Sequence, residues 1–104
     1  MEAKSRKTVI ITGGTTGIGK ATAIKFAENN YNVVITSRDA KKETVVKNEF
    51  KAKGLEVDFQ VLDVRNEGQV EALIKETVAK YGKLDVMVNN SGISLGNAVL
   101  AETE

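Results

Sequence analysis

The chain has no cysteine, no histidine and no proline among its 104 residues. Without cysteine it forms no disulfide and offers no thiolate nucleophile, and without histidine it excludes a His-ligated metal and the usual Ser-His-Asp arrangement. The sequence therefore predicts no metal site. Average usage would supply roughly five prolines in a chain of this size, so their absence suits a dense run of helices and strands.

An excess of charge of one sign is also missing, because 15 Lys and Arg residues balance 14 Asp and Glu residues to a formal net charge of +1. This balance predicts neither nucleic acid nor an anionic membrane as a partner. The polar start MEAKSRK leads directly into a strand-like stretch, with no apolar signal segment or membrane span. We therefore expect a cytoplasmic protein of at most one small domain.

Strand-like and helix-like hydrophobic patterns alternate along the chain. The strand-like segments are rich in β-branched or apolar residues and occur at Thr8–Thr12, Val33–Thr36, Val57–Val64 and Leu84–Val88. The three segments between them have the apolar spacing of helices. This β-α-β-α-β-α-β order predicts an α/β fold, a doubly wound, Rossmann-like parallel sheet with strand order 3-2-1-4.

The predicted helices carry stripes and end signals of their own. The stripe of the first helix consists of Gly19, Ala23, Phe26, Ala27 and Asn30. Asp39 is the predicted cap of the second helix, which ends at Gly54. Asn66 and Gln69 form a capping-box-like pair before the third helix, which ends at Gly82. The stripe of that helix consists of Val70, Leu73, Ile74, Thr77, Val78 and Tyr81.

A glycine-rich turn follows the first strand, in the stretch ITGGTTGIGKAT. Gly13, Gly17 and Gly19 have the spacing G-x-x-x-G-x-G. A strand, then glycines, then a helix predicts a phosphate cradle, because the helix start offers backbone N–H groups and a partial positive charge. Glycine lets the backbone turn sharply and approach a ligand closely.

The turn also nearly completes the phosphate-binding pattern of nucleoside triphosphatases, with Gly14, four residues, Gly19 and Lys20. That pattern requires Ser or Thr directly after the lysine to hold magnesium. Ala21 stands there instead, and Thr22 is one position late, rotated by about 100° around the helix. Asp63 is a possible magnesium ligand, so this alternative stays open below the dinucleotide hypothesis. A third alternative is a tight strand–helix turn without a ligand.

Three motifs in this order resemble those of the short-chain dehydrogenase/reductase family. The family pattern T-G-x-x-x-G-x-G is matched by Thr12, Gly13, Gly17 and Gly19. The pattern N-N-A-G after the fourth strand is matched by Asn89, Asn90, Ser91 and Gly92, with Ser in place of Ala. An Asp followed by an aliphatic residue after the third strand is matched by Asp63 and Val64. The resemblance covers nearly the whole chain and implies a nicotinamide dinucleotide cofactor.

The end of the second strand predicts which nicotinamide cofactor is bound. A carboxylate there would accept hydrogen bonds from the ribose hydroxyls and repel a 2′-phosphate. This chain has Ser37 and Arg38 instead, and the guanidinium of Arg38 suits a phosphate. Thr15 is a further possible hydroxyl donor, whereas Thr16 stands where NADP-binding relatives often carry a basic residue. We predict NADP(H), with NAD(H) not excluded.

The resemblance also implies roles for the remaining strand ends. Asp63 would accept a hydrogen bond from the adenine amino group and Val64 would donate its backbone N–H to the ring, although an Asp that stabilises a turn is nearly as common. Asn89 is expected to tie the fourth strand to its neighbour. The predicted cofactor contacts are Gly13, Thr15, Thr16, Gly17, Ile18, Gly19, Ser37, Arg38, Asp63, Val64, Asn90, Ser91 and Gly92.

Family resemblance implies an oxidoreductase acting on a small carbonyl or alcohol, such as a ketoreductase of the 3-oxoacyl-reductase kind, in which a Ser and a Tyr-x-x-x-Lys do the chemistry. The only tyrosines are Tyr31 and Tyr81, and Ile35 and Asp85 stand four residues after them. The sequence therefore predicts no catalytic residue. We expect residues 1–104 to be the cofactor-binding, inactive amino-terminal part of a longer single-domain, homo-oligomeric enzyme.

Two alternative functions remain open at this point. The first is a non-catalytic NADP(H)-binding redox sensor, which would use the same glycine turn without hydride transfer. The second is the magnesium-dependent nucleotide hydrolase indicated by Gly14, Gly19 and Lys20.

Overall fold

A computed structural model describes residues 6–15 and 17–90 of the chain. Their seven elements are β1 (Thr8–Thr12), α1 (Gly17–Glu28), β2 (Asn32–Ser37), α2 (Lys42–Ala52), β3 (Asp58–Val61), α3 (Glu67–Tyr81) and β4 (Val86–Asn89). The strands form one parallel sheet in the order β3-β2-β1-β4. The predicted fold class and strand order are therefore confirmed.

The sheet buries side chains on both of its faces. Every residue of β1 is buried, as expected for a central parallel strand covered by helices on both sides. On one face the core consists of Val9, Ile11, Ala23, Val33, Ile35, Val46, Phe50 and Phe59. On the other face it consists of Ile10, Val34, Leu62, Val64, Val70, Leu73 and Met87. Successive residues of β1 and β2 thus point to opposite faces of the sheet. One set packs against α1 and α2, and the other set packs against α3.

The start of α2 differs from the prediction that Asp39 caps it. The N-cap residue is Lys41, which makes no capping side-chain hydrogen bond. The carboxylate of Asp39 accepts the backbone N–H of Lys41 at 2.9 Å, so Asp39 closes a turn that precedes the helix. Gly54 follows the end of α2 with φ of +74°, which confirms the predicted stop.

The predicted signals of α3 are largely confirmed. The side chain of Asn66 accepts the N–H of Gln69 at 3.1 Å. The side chain of Gln69 does not complete a capping box, because it accepts the N–H of Asp63 at 3.0 Å. Gly82 ends the helix with φ of +89°. The prediction that Val78 belongs to the buried stripe was wrong, since its side chain is 40% exposed.

Further boundaries differ from the sequence-based expectation, and β4 covers Val86–Asn89 rather than Leu84–Val88. β3 covers only Asp58–Val61, because this edge strand pairs with β2 alone over those residues. Asn30 is exposed and lies beyond the end of α1 with φ of +67°, so it is not part of the helical stripe. Across the described part of the chain, every helix is too short or too polar to cross a bilayer.

Candidate functional site

The carboxyl ends of the four parallel strands lie along one edge of the sheet. In the register of the sheet, Thr12 is beside Thr36 and Asn89, and Thr36 is beside Gln60. The residues that follow the strands are therefore neighbours in space. We name this edge, with the glycine turn and the residues after β2, β3 and β4, the carboxyl edge. Doubly wound sheets bind ligands at such an edge where the strand order reverses, which here is between β1 and β4.

The glycine turn is held against β2. The N–H groups of Gly13 and Gly14 donate to the carbonyl oxygen of Thr36 at 3.0 and 3.3 Å. A Cβ on Gly14 would lie 2.6 Å from Cγ2 of Ile35, so the close packing of the turn requires glycine there. Gly13 and Gly17 have φ of +66° and +57°, which is the left-handed region that favours glycine.

The end of β4 is fastened to the same turn through Thr12. The Thr12 hydroxyl lies 3.1 Å from Oδ1 of Asn89 and 3.4 Å from the carbonyl oxygen of Val88, and it accepts the N–H of Asn90 at 3.0 Å. The side-chain amide of Asn90 donates to the carbonyl oxygen of Gly13 at 3.2 Å. The expectation that Asn89 ties β4 to its neighbour is confirmed. The role of Thr12 as a link between two strand ends was missed.

Gly19, in the first turn of α1, packs closely against both the glycine turn and the end of β4. A Cβ at Gly19 would collide with the carbonyl oxygen of Gly13 and the side-chain amide of Asn90. The first turn of α1 is therefore pressed against the end of β4, while its outer side is open, with Ile18 79% exposed. An open first turn presents backbone N–H groups to solvent and suits a phosphate.

Ser37 is the last residue of β2, and Arg38 follows it at the carboxyl edge. The Ser37 hydroxyl oxygen accepts the N–H of Asp39 at 3.1 Å, which leaves its hydrogen to donate to another group. Arg38 is exposed. The pairing of β2 with β3 extends one residue beyond the end of β3, because the N–H of Leu62 donates to the carbonyl oxygen of Ser37 at 2.9 Å.

Asp63 follows β3 and forms a close pair with Arg65. Its Oδ1 accepts the backbone N–H and Nε of Arg65 at 3.0 and 3.1 Å, and its Oδ2 accepts Nη2 at 3.1 Å. These hydrogen bonds lower the pKa of Asp63 to about 2, with a smaller contribution from the charge of Arg38. The carboxylate of Asp63 therefore stabilises a turn at Arg65, which is the alternative to adenine binding given for this residue above. The adjacent Val64 side chain is buried, so only its backbone is available to a ligand.

Lys20 does not face the glycine turn. Its Nζ pairs with Oε1 of Glu49 on α2 at 3.0 Å, and the hydroxyl of Thr22 donates to the carbonyl oxygen of Ile18 at 2.8 Å. The two side chains on which the triphosphate hypothesis depends are thus engaged elsewhere. This placement counts against a magnesium-dependent nucleotide site.

Of the predicted contacts, Thr16, Ser91 and Gly92 lie outside the described residues. The others lie at the carboxyl edge, on the glycine turn, in the first turn of α1, or at or within three residues of the end of a strand. Within ranges 6–15 and 17–90, no cluster of three or more Asp or Glu residues could hold a metal ion.

A cavity of about 760 Å³ lies at the opposite, amino-terminal edge of the sheet and was not predicted. Two of its lysines are already paired: Lys80 Nζ lies 2.8 Å from Oδ2 of Asp58, and Lys47 Nζ lies 3.0 Å from Oε2 of Glu43. The hydroxyl of Tyr81 also donates to Asp58. Burial opposes ionisation of Asp58, but the hydrogen bonds from Lys80 and Tyr81 outweigh it and lower its pKa. We interpret the hydrogen-bonded group of Asp58, Lys80 and Tyr81 as a structural link between β3 and α3.

Known proteins share both the sequence pattern and the fold. A 3-oxoacyl-[acyl-carrier-protein] reductase of Staphylococcus aureus is 38% identical over 102 residues, which cover 97% of this chain and 42% of that protein. The structure named ElxO with NADP bound matches with a TM-score of 0.78 and 46% identity, covering 95% of this chain and 40% of that one. An actinorhodin polyketide ketoreductase solved with NADPH matches with a TM-score of 0.81 and 31% identity, covering 89% and 36%.

The chain thus spans less than half the length of the relatives it matches. The pattern described as short chain dehydrogenase matches residues 7–104, which includes the glycine turn and all four strand ends. The chain therefore belongs to the short-chain dehydrogenase family.

Proposed function

We propose that this chain binds NADP(H) along the carboxyl edge and serves as the cofactor-binding part of an oxidoreductase. The bound cofactor would exchange a hydride with a carbonyl or alcohol substrate, as in ketoreductases and 3-oxoacyl reductases. The observation that carries the proposal is the juxtaposition of the tightly fastened glycine turn with Arg38 and Asp63 on one edge. The relative that reduces 3-oxoacyl groups and the neighbours solved with NADP or NADPH support it.

The described residues fit an adenine dinucleotide phosphate. Gly13, Gly17, Ile18 and Gly19 would hold the pyrophosphate on the exposed first turn of α1. Arg38 would bind the 2′-phosphate, and the hydroxyls of Ser37 and Thr15 would donate to the same group. Asp63 and the backbone of Val64 would bind adenine. Asn90, Ser91 and Gly92 would run beside the ribose.

Both tyrosines of the chain lie away from this edge. Tyr31 and Tyr81 line the cavity at the amino-terminal edge. Burial and the hydrogen bond to Asp58 raise the pKa of Tyr81 to about 12, which is the opposite of what a proton-exchanging tyrosine requires near neutral pH. We therefore propose that residues 1–104 bind the cofactor without turning it over. We also propose that they belong to a longer, single-domain and homo-oligomeric enzyme.

The cofactor preference is tested at Arg38. Replacing Arg38→Asp removes a charged donor and adds a carboxylate that repels the 2′-phosphate, so the Kd for NADPH should rise about 10- to 100-fold. The Kd for NADH should change by less than about threefold. Isothermal calorimetry of both cofactors with the wild type and the variant measures the difference.

The matched control is Arg6→Asp, which makes the same change of charge beside the cavity at the opposite edge. This control should leave both dissociation constants unchanged. Equal losses of NADPH and NADH affinity in Arg38→Asp, or an unaltered NADPH affinity, would show that Arg38 does not select the cofactor.

A further inference from the structure

Two side chains hold Asp63 directly: that of Gln69 accepts its backbone N–H, and that of Arg65 donates to its carboxylate. Its backbone N–H is fixed by the side chain of Gln69, and Gln69 is in turn fixed by the side chain of Asn66. The start of α3 therefore immobilises the main chain at Asp63. Its carboxylate is then held by three further hydrogen bonds, all of them from Arg65.

The hydrogen bonds from Arg65 determine which acceptor positions of the Asp63 carboxylate are still available to a ligand. An ionised carboxylate has about four lone-pair positions on its two oxygens. The backbone N–H and Nε of Arg65 take both positions on Oδ1, and Nη2 takes one on Oδ2. A single acceptor position is left, and it is on Oδ2. The side-on fork of arginine also fixes the plane of the carboxylate, which a lysine would not do.

We propose that Arg65 is a positioning residue for adenine recognition, because it turns Asp63 into a single oriented acceptor for the exocyclic amino group. This inference rests on the proposed function. It adds that the base is selected by the Asp63–Arg65 pair rather than by Asp63 alone. A base with hydrogen in place of the amino group would leave this acceptor without a donor, and binding would be weakened.

The ionised state of Asp63 supports this role. Its carboxylate is acceptor-only throughout the neutral range, and the contacts with Arg65 extend this state to lower pH by keeping its pKa near 2. The side chain of Arg65 is 59% exposed and that of Asp63 is 35% exposed, so the pair is open to a ligand at the carboxyl edge.

The experiment compares NADPH with its purine analogue, in which a hydrogen atom replaces the adenine amino group and the ring nitrogen that would accept from Val64 is unchanged. Calorimetry gives the ratio of the two dissociation constants for the wild type, Arg65→Ala, Arg65→Lys and the control Arg6→Ala. A ratio taken within one protein cancels any uniform loss of folded protein, which a merely structural role would cause. The wild type should prefer NADPH by about tenfold or more.

Arg65→Ala should lose most of that preference, and Arg65→Lys should lose it as well, since lysine keeps the charge but not the fork. Arg6→Ala should retain it. A full preference in Arg65→Ala would overturn the role of Arg65 while leaving NADPH binding intact. A full preference in Arg65→Lys would show that charge alone suffices, which also overturns it.

A wild type that binds both cofactors equally would show that Asp63 does not read the base, and it would overturn this inference alone. A wild type that binds neither would overturn the proposed function together with it.

Discussion

Gly19 is the residue at which the glycine turn, α1 and the end of β4 meet. In Gly19→Ala the new methyl group would collide with the carbonyl oxygen of Gly13, which is main chain and cannot swing aside, and with the side chain of Asn90. We expect the free energy of unfolding to fall by about 1–3 kcal/mol. NADPH affinity should fall too, because the first turn of α1 must move. Urea denaturation and calorimetry measure the two effects.

The control for this substitution is Gly68→Ala in the first turns of α3. The nearest atom to a Cβ at Gly68 is Oδ1 of Asn66 at 3.4 Å, which is an ordinary contact. Alanine is favoured over glycine inside a helix by up to about 1 kcal/mol, so this variant should be as stable as the wild type or more so. If Gly19→Ala were equally stable, the close approach of α1 to β4 would be wrong.

Single residues differ in how well the sequence predicted them. The spacing of Gly13, Gly17 and Gly19 predicted a sharp turn, because positive φ and close approach are local demands that only glycine meets cheaply. The link made by Thr12 was missed because its partner Asn90 is 78 residues away along the chain. The fork of Arg65 on Asp63 was missed for a different reason: a charged residue after a strand usually has a solvated side chain.

At the scale of elements, α3 is joined to the edge strand β3 by Tyr81, Lys80 and Asp58. Burial and the hydrogen bond to Asp58 raise the pKa of Tyr81 to about 12, whereas a tyrosine in an unfolded chain titrates near 10. The folded state therefore holds the phenol proton that the unfolded state loses. The resulting stabilisation is complete below about pH 10 and is lost as the pH rises towards 12.

We predict that the free energy of unfolding falls between about pH 10 and pH 12 because the link between β3 and α3 is lost. The full shift of about two pKa units would correspond to about 2.7 kcal/mol, but partial exposure of the tyrosine screens it, so we expect a loss of about 1 kcal/mol. Tyr81→Phe should remove this part of the alkaline loss, although Lys80, whose pKa Asp58 also raises, still contributes in the variant. Urea denaturation at pH 8, 10 and 11.5 measures the difference.

Tyr31→Phe is the matched control, because Tyr31 packs edge-on against Phe26 with ring centroids 4.7 Å apart and leaves the pair of Tyr81 and Asp58 intact. It should keep the wild-type dependence on pH. An alkaline loss that is the same in Tyr81→Phe and the wild type would place its origin outside this link.

The elements themselves were predicted with uneven success, and the reasons are physical. The helix α3 was predicted accurately because its cap Asn66 and its terminal Gly82 act within a few residues of the helix. Asp39 was misassigned because the same carboxylate closes a turn or caps a helix at almost the same spacing. The strand β3 is shorter than its apolar pattern, since only β2 pairs with it and Val61 is already 54% exposed.

At the scale of the whole molecule, the strand order was predictable because short right-handed crossovers leave few alternatives for alternating strands and helices. That order brings the glycine turn, Arg38 and Asp63 to the carboxyl edge. It brings the link of Asp58, Lys80 and Tyr81 to the other edge. What the order could not predict is how each edge is fastened, because those contacts depend on side-chain positions far apart in the sequence.

Binding of NADPH at the carboxyl edge should raise the thermal stability of the folded chain. A ligand that binds only the folded state stabilises it by RT ln(1 + [L]/Kd), about 2.7 kcal/mol at 100 times Kd. For a domain of this size that corresponds to a rise in Tm of about 10 °C or more. We expect NADPH at such a concentration to produce this rise.

MgATP at the same concentration should leave Tm unchanged, because Lys20 is paired with Glu49 and Ala21 has no side-chain oxygen for magnesium. Thermal denaturation followed by circular dichroism distinguishes the two ligands. Glu49→Gln is the informative variant, since it releases Lys20 from its ion pair without altering the glycine turn. If MgATP stabilised the wild type more than NADPH does, the turn would serve a nucleoside triphosphate. If it stabilised only Glu49→Gln, the ion pair with Glu49 would be what keeps Lys20 from a phosphate.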